Sequence, residues 1–492
     1  MITDEIAFRI VQALGLQPTG EQQAAIGMFC RFLQERDPRA VMVLRGSAGT
    51  GKTTLASAMV RAMVALGQKV VLLAPTGRAA KVFALNSGRP AYTIHRRIYR
   101  QRTAGDLSSF NLNYNNAADT LYMVDEASMI ANGGHAESVF GDGRLLDDLV
   151  SFVYGGRNCR MVLIGDQAQL PPVGESESPA LSGSRLREMG LRVFECDLSE
   201  VMRQSLESGI LWNATRIRQM GSAARTAHAD APLSLPSIRF RGFADIQMVP
   251  GNELIEQLNS SYSQVGIDDT IVVTRSNKRA GIYNQGIRNT ILDREEELCR
   301  GDLLMVVKNN YHWTQPQDSP SAGAAAQPSF LANGDRASVQ RVRHIHDLYG
   351  FRFADVQLRF PDFNDYELEA TVLLDTLTAE APALTREQQE QLYESVMADY
   401  ADISQKNERL SELRRDAHYN ALQVKFAYAV TCHKAQGGQW AHVYVDQGYM
   451  TDDMLTPDYI HWLYTAFTRA TEKLFLVNWP ATQTDTETDN SE

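Results

Sequence analysis

The sequence predicts an α/β fold with two parallel sheets and a small β-barrel. Three observations carry that expectation: a glycine-rich loop flanked by a strand and a helix, short apolar runs that each end at a polar motif, and later strand-like runs separated by polar turns. Val41-Met-Val-Leu44, then Gly46-Ser47-Ala48-Gly49-Thr50-Gly51-Lys52-Thr53, then Leu55 to Leu66 read as buried strand, phosphate loop and helix. Val70 to Ala74, Leu121 to Val124 and Met161 to Ile164 extend that first sheet, with chemistry expected at the strands' C-terminal ends.

Thr270 to Thr274, His442 to Val445 and Leu474 to Val477 predict a second parallel sheet, which would set the site between two sheets. Between these runs, Gly301 to Val307, Ala337 to Val342, Phe353 to Phe360 and Glu369 to Leu374 look like β-strands of a small inserted barrel. Gln315 to Ser329, rich in Pro, Ala, Ser and Gln, predicts a mobile loop. Thr385 to Asn420 is charged, with Leu392, Val396, Ile403, Leu410 and Leu413 at helical spacing, and predicts an exposed helical insertion. The acidic tail from Thr482 predicts disorder.

A chain of 492 residues, 44% hydrophobic, can bury several cores, so two to four domains are expected. There is no run of about 18 apolar residues, and the first residues lack the order of a signal peptide, which points to a cytoplasmic protein. Cys30, Cys159, Cys196, Cys299 and Cys432 have neither CxxC spacing nor an even count, so reduced thiols are expected. The net charge of −11 argues against a surface that binds phosphate backbones everywhere; a nucleic acid would need a local basic cleft.

The glycines of the loop let backbone amides turn toward phosphates, Lys52 would reach the β and γ phosphates, and Thr53 would offer its hydroxyl to magnesium. Thr54 follows in the same loop-to-helix turn. Asp125-Glu126 ends a predicted strand; Asp125 would hold magnesium and Glu126 would polarise the attacking water. Arg203 in Glu-Val-Met-Arg-Gln and Arg469 in Tyr-Thr-Ala-Phe-Thr-Arg-Ala are candidates to offset phosphoryl charge.

In their order these motifs resemble the superfamily 1 helicases of the 5′-to-3′ branch (superfamily 1B), with RecD-like, Dda-like and Pif-type members. The resemblance covers nearly the whole chain. It likens Thr19-Gly-Glu-Gln22 to the motif that reads adenine, Ala74-Pro-Thr76-Gly-Arg78 to a strand-contacting motif, and Thr93-Ile-His95 to the segment after it. Gln169 in Gly165-Asp-Gln-Ala-Gln would sense the γ phosphate. Thr274-Arg-Ser-Asn277, Gly301-Asp302, Lys308-Asn309-Asn310-Tyr311 and Asn333-Gly334-Asp335 match stretches of the second domain. In the motif usually reading His-Lys-Ser-Gln-Gly-Ser-Glu-Phe, this chain has His433-Lys-Ala-Gln436-Gly437-Gly438-Gln439-Trp440. A Ser and a Glu are missing at 438 and 439, while Gly437 remains a nucleotide-site candidate.

The resemblance implies two RecA-like parallel-sheet P-loop domains, with a small β-hairpin insertion in the first and an SH3-like barrel plus helical insertion in the second. The boundaries it suggests are 1–200 for the first domain with a hairpin pin near 96–120, and 201–312 with 425–480 for the second. The barrel domain would be 313–424, with its loop at 315–329 and helices at 385–420, ahead of a tail at 481–492. The chain would also lack the N-terminal domain of longer RecD-like proteins.

It further implies ATP with Mg2+, and a monomeric helicase of DNA repair, recombination or replication. That helicase would act 5′ to 3′ on single-stranded and tailed duplex DNA, with a translocase or an ATP-gated switch as rivals. The helical insertion or the acidic tail could recruit a protein partner. Candidate strand contacts are Thr76, Arg78, His95 and His433, with Phe83 or Trp440 for stacking; Phe83, on the helix after the strand-contacting motif, reads as a core residue before a platform, and Trp440 is equally a domain-edge residue. Phe110 or Tyr114 is a wedge or a packing residue.

Overall fold

The computed structural model describes residues 2–103, 106–133, 144–201, 207–226, 235–314, 330–450 and 454–485. The chain divides into two compact units, one formed by residues 1–100, 110–251 and 435–492, the other by residues 101–109 and 252–434.

In the first unit, strand Ala40–Gly46 lies inside a parallel sheet because its apolar run is buried on both faces. The sheet order is Ala91–Thr93, Lys69–Ala74, Thr120–Val124, Arg160–Gly165, Ala40–Gly46, Arg192–Leu198. Register pairs Leu44 with Ile164 and Val124 with Leu163, so the polar motifs that follow these strands emerge along one edge. The helix Lys52–Ala65 packs Leu55, Met59 and Val60 into a core shared with Ile6, Ile10, Ile26 and Phe29 from the two N-terminal helices. The same unit holds a second parallel set, Trp440–Asp446 beside Ala470–Val477 beside Ile246–Val249.

A two-stranded hairpin, Tyr99–Thr103 with Asp106–Leu112, stands where the pin is expected. The side chain of Phe110 lies outside the described residues. Tyr114 is exposed, with the Arg100 guanidinium 4.8 Å from its ring centroid, so it packs on an arginine and not into a core.

In the second unit, Thr270–Thr274 pairs in parallel with Ala429–Thr431. A closed barrel forms from Leu303–Val306, Arg336–Leu348, Phe351–Phe360, Tyr366–Leu373 and Leu422–Phe426. The expected parallel sheets and barrel are therefore present. The helical insertion resolves into Arg386–Asp399, started by a capping box of Thr385 and Gln388, and Lys406–Arg415. Leu392, Val396 and Leu413 fix it to Phe351, Phe353 and Leu373 of the barrel. The expected loop 315–329 and the tail residues 486–492 lie outside the described residues. Thr482 and Gln483, read in the sequence as the start of a disordered tail, sit in a short 3-10 helix whose Gln483 is buried and accepts a bond from Gln447.

The barrel is pinned by a buried charge cluster. Asp302, fully buried, receives Arg288 Nη2 at 3.0 Å, Arg294 Nη1 at 2.8 Å, the Tyr428 hydroxyl at 2.8 Å and the Cys299 amide at 2.7 Å. Arg288 also lies over the Phe426 ring. Four donors satisfy the carboxylate, which is the condition for a buried charge to be tolerated. Replacing Asp302 by Ala leaves Arg288 uncompensated in the interior, and the expected loss is about 3–5 kcal/mol of unfolding free energy, read from the denaturant midpoint.

Candidate nucleotide site

The phosphate loop is shaped by glycines at positions where a side chain would be strained. Gly49 and Gly51 have φ of +78° and +74°, the left-handed region, and a Cβ on Gly46 would sit 2.9 Å from Thr50 Oγ1. The helix then starts at Lys52, so its N-terminal amides and dipole face the loop. Gln22 closes the capping box of its own helix by accepting from the Thr19 amide, and its Nε2 donates to the Thr50 carbonyl at 3.0 Å. That makes it a brace of the loop, a role the sequence did not show. Ser47 Oγ accepts from Arg218 Nη1 at 2.7 Å, which brings a positive side chain against the loop.

The strand Thr120–Val124 delivers Asp125 and Glu126 as expected. Asp125 is buried, and its pKa is raised by that burial and by Glu126, with Lys52 opposing. Glu126 takes a left-handed φ of +52°, its amide donates to Asp125 Oδ1, and its Oε2 is buried with no hydrogen-bond partner among the described residues. Thr53, Asp125 and Glu126 line one cavity of 210 Å³. A buried Asp125 carboxylate, reluctant to carry its charge unaided, beside the Glu126 carboxylate and a threonine hydroxyl is a donor set that fits a divalent cation. Among the described residues no His, Cys, Asp or Glu cluster forms a separate metal site.

Two later motifs close on the loop through hydrogen bonds that span the sequence. The Tyr464 hydroxyl donates to Asp166 Oδ2 at 2.6 Å and accepts from the Ala48 amide at 2.8 Å. Leu170 is held on both sides: its amide donates to Thr465 Oγ1 and its carbonyl accepts from Gln436 Nε2, both at 2.8 Å. Gln169, next to it, is buried with Oε1 lacking a partner among the described residues. Arg469 is buried and donates to the Thr465 and Gly438 carbonyls and to Thr468 Oγ1. Arg203 lies outside the described residues. Asp166, Tyr464, Thr465, Gln436 and Arg218 were missed as site residues, although the first four stand inside motifs the sequence displays.

The expected strand contacts divide. Thr76 caps its helix by accepting from the Ala79 amide, and Gly437 packs on it, where a Cβ would meet Thr76 Oγ1 at 3.2 Å. His433 is exposed. Burial lowers the pKa of His95 to about 4, so at neutral pH it offers a strand no charge. Phe83 is 0% exposed within the sheet-and-helix core, which bears out its core reading and rules out the stacking platform. Trp440, read as a platform, needs correcting. Only 2% exposed, it carries the Arg78 guanidinium 4.1 Å from its ring centroid, and Arg78 also donates to the Gln439 carbonyl.

The missing Ser at 438 has a physical cause in that same ring. A Cβ on Gly438 would lie 2.4 Å from Trp440 Cη2 and 2.7 Å from Cζ3, atoms of the indole's outer ring. Gly438 with Trp440 is thus a compensated exchange for the smaller aromatic and larger neighbour expected there.

A phosphate loop at the head of a parallel sheet, an acidic pair at the adjacent strand end, a later motif bonded to the loop through Tyr464 and another bonded to Leu170 through Gln436 define a P-loop protein of the two-sheet class. Residues 18–231 match the family described as an AAA domain, and residues 426–477 match the UvrD-like helicase C-terminal domain. The ATP-dependent RecD2 DNA helicase of Deinococcus radiodurans is 31% identical over 192 residues, 39% of this chain and 22% of that protein. The ATP-dependent DNA helicase dda of Enterobacteria phage T4 is 22% identical over 306 residues, 58% of this chain and 60% of that protein. The chain therefore spans less than two thirds of the length of either relative. The Pif1 helicase from Bacteroides, solved with ADP-AlF3 and ssDNA, is similar across 96% of this chain and 95% of that one, at 13% identity. The TM-score is 0.46. The matches bear out the resemblance to the superfamily 1B helicases.

Two outcomes follow from the geometry. Gly438→Ser should lower stability by about 1–3 kcal/mol through overpacking, and adding Trp440→Phe should restore much of it, as read from denaturation midpoints. Because the Asp125 carboxyl is pushed up to about 6, protons compete with magnesium there, so magnesium-dependent nucleotide binding should weaken as pH falls through about 6. The sign for the fold is the reverse: a raised carboxyl pKa favours the folded state at low pH, and that contribution is lost as pH rises through about 6. Fluorescent-nucleotide titrations across pH, with Asp125→Asn as control, read the first effect.

Proposed function

We propose that this chain is an ATP-dependent DNA helicase that moves 5′ to 3′ on single-stranded DNA and unwinds duplex ahead of it. The observation that carries the reading is the clamp on Leu170, gripped by Thr465 and Gln436, beside the tie from Tyr464 to both Asp166 and the loop amide of Ala48. A site that only stored nucleotide would have no need to bind its phosphate loop to a tyrosine hundreds of residues away.

The loop amides and Lys52 hold the phosphates of ATP, and Glu126 accepts a proton from the attacking water. Magnesium, held by Thr53 and Asp125, would offset charge on the phosphate oxygens. Tyr464 and Leu170 then carry the change at the γ phosphate into the segments around Gln436 and Arg469, next to the Arg78–Trp440 pair. Strand contact falls to local positive side chains such as Arg96, Arg97 and Arg100, since the net charge of −11 disfavours a general basic surface. Among the described residues no helix is long and apolar enough to cross a membrane. We take the chain to work as a monomer in the cytoplasm.

Lys52→Ala and Glu126→Gln should each reduce ATP turnover by about 10²–10⁴-fold while binding of single-stranded DNA persists. Normal turnover in either would refute the site. On duplexes carrying one single-stranded tail, unwinding should require the 5′ tail; equal unwinding from a 3′ tail would contradict the polarity, and hydrolysis indifferent to DNA would point to a switch.

A further inference from the structure

Ser57 lies one helical turn beyond Thr53, on the same face of the helix that begins at Lys52. It is 2% exposed, and its hydroxyl makes no hydrogen bond among the described residues. A helical serine ordinarily bonds back to the carbonyl four residues earlier, so an unpaired one in the interior calls for another partner. Glu126 Oε2 is the second buried oxygen at this place without a partner among the described residues. Ser57 and Glu126 line the same 210 Å³ cavity, with Thr53, Thr54, Asp125 and Gly437. Water occupies about 30 Å³ in the liquid and typically satisfies otherwise unpaired buried polar groups, so the space suits several molecules. Arg61 and Asn86 form its outer part, where Arg61 Nη1 donates to the Asn86 carbonyl.

We propose that this cavity is the water chamber of the hydrolytic step and that Ser57 is a positioning residue for the attacking water. The inference rests on the nucleotide-site reading above. One water is shared between Ser57 Oγ and the Glu126 carboxylate. Its oxygen forms the new bond to the γ phosphorus as its proton passes to Glu126. The bond from the γ phosphorus to the β–γ bridging oxygen breaks, and its electron pair leaves on ADP. Glu126 then returns the proton to the phosphate product. Ser57 neither gains nor loses a proton; it fixes where the water's oxygen lies, and misplacement of a reacting atom by about 1 Å can cost about 100-fold in rate.

The test is DNA-stimulated ATP turnover by Ser57→Ala, Ser57→Thr, Glu126→Gln and the Ser57→Ala/Glu126→Gln pair, with ADP affinity and thermal unfolding measured on each. Ser57→Ala should lower kcat about 10- to 100-fold with KM and ADP affinity unchanged. Ser57→Thr, which keeps the hydroxyl, should recover most of that loss. In the Glu126→Gln background Ser57→Ala should add nothing, because both act on one water. Wild-type kcat in Ser57→Ala, a loss that appears in KM and ADP affinity, no rescue by threonine, or a full additional loss in the double variant would each overturn the proposal. Normal turnover in Glu126→Gln would instead overturn the nucleotide-site reading beneath it.

Discussion

The bond from the Tyr464 hydroxyl to Asp166, continued to the amide of Ala48, is the constraint around which the first unit is arranged. It joins residues 298 positions apart in the chain and sets a buried phenol against a buried carboxylate. Burial raises the pKa of Tyr464 well above the usual range, with Asp166 adding to the effect, so the phenol keeps its proton and remains the donor. The phosphate loop, the Gly165-Asp-Gln segment and the helix Pro457–Phe467 therefore share one hydrogen-bond path. A bond of this kind is worth more in the low dielectric of the interior than at the surface, and is correspondingly costly to leave unmade.

The same logic of satisfaction holds at three further buried polar groups. Leu170 has both backbone groups met, Arg469 donates from all three nitrogens, and Asp302 in the other unit is met by two arginines, a phenol and an amide. Against that background the unpaired oxygens of Glu126, Ser57 and Gln169 are conspicuous for their location at the candidate site. Open buried oxygens at such a place are suited to water and substrate.

Much of the site was legible because its chemistry is local. Phosphate binding needs left-handed glycines, a lysine and a hydroxyl within a few residues, and the acidic pair must sit at a strand end, so Gly46 to Thr53 and Asp125-Glu126 stood in the sequence in readable order. The parallel strands were legible for the same reason, as apolar runs of strand length. What could not be read is what depends on partners far along the chain. That the Gln22 amide braces the Thr50 carbonyl is one such feature. The core reading of Phe83 holds, and only packing reveals that Trp440 is taken by Arg78. The departure at Gly438 was visible as a missing serine, but its cause required the position of the Trp440 ring.

On this reading Tyr464 ties hydrolysis to the later motifs. The most direct test is ATP turnover of Tyr464→Phe with and without saturating single-stranded DNA. The phenylalanine keeps the ring and removes only the hydroxyl, so the account predicts that nucleotide binding persists while stimulation by DNA is largely lost. Stimulation equal to that of the unaltered chain would contradict it.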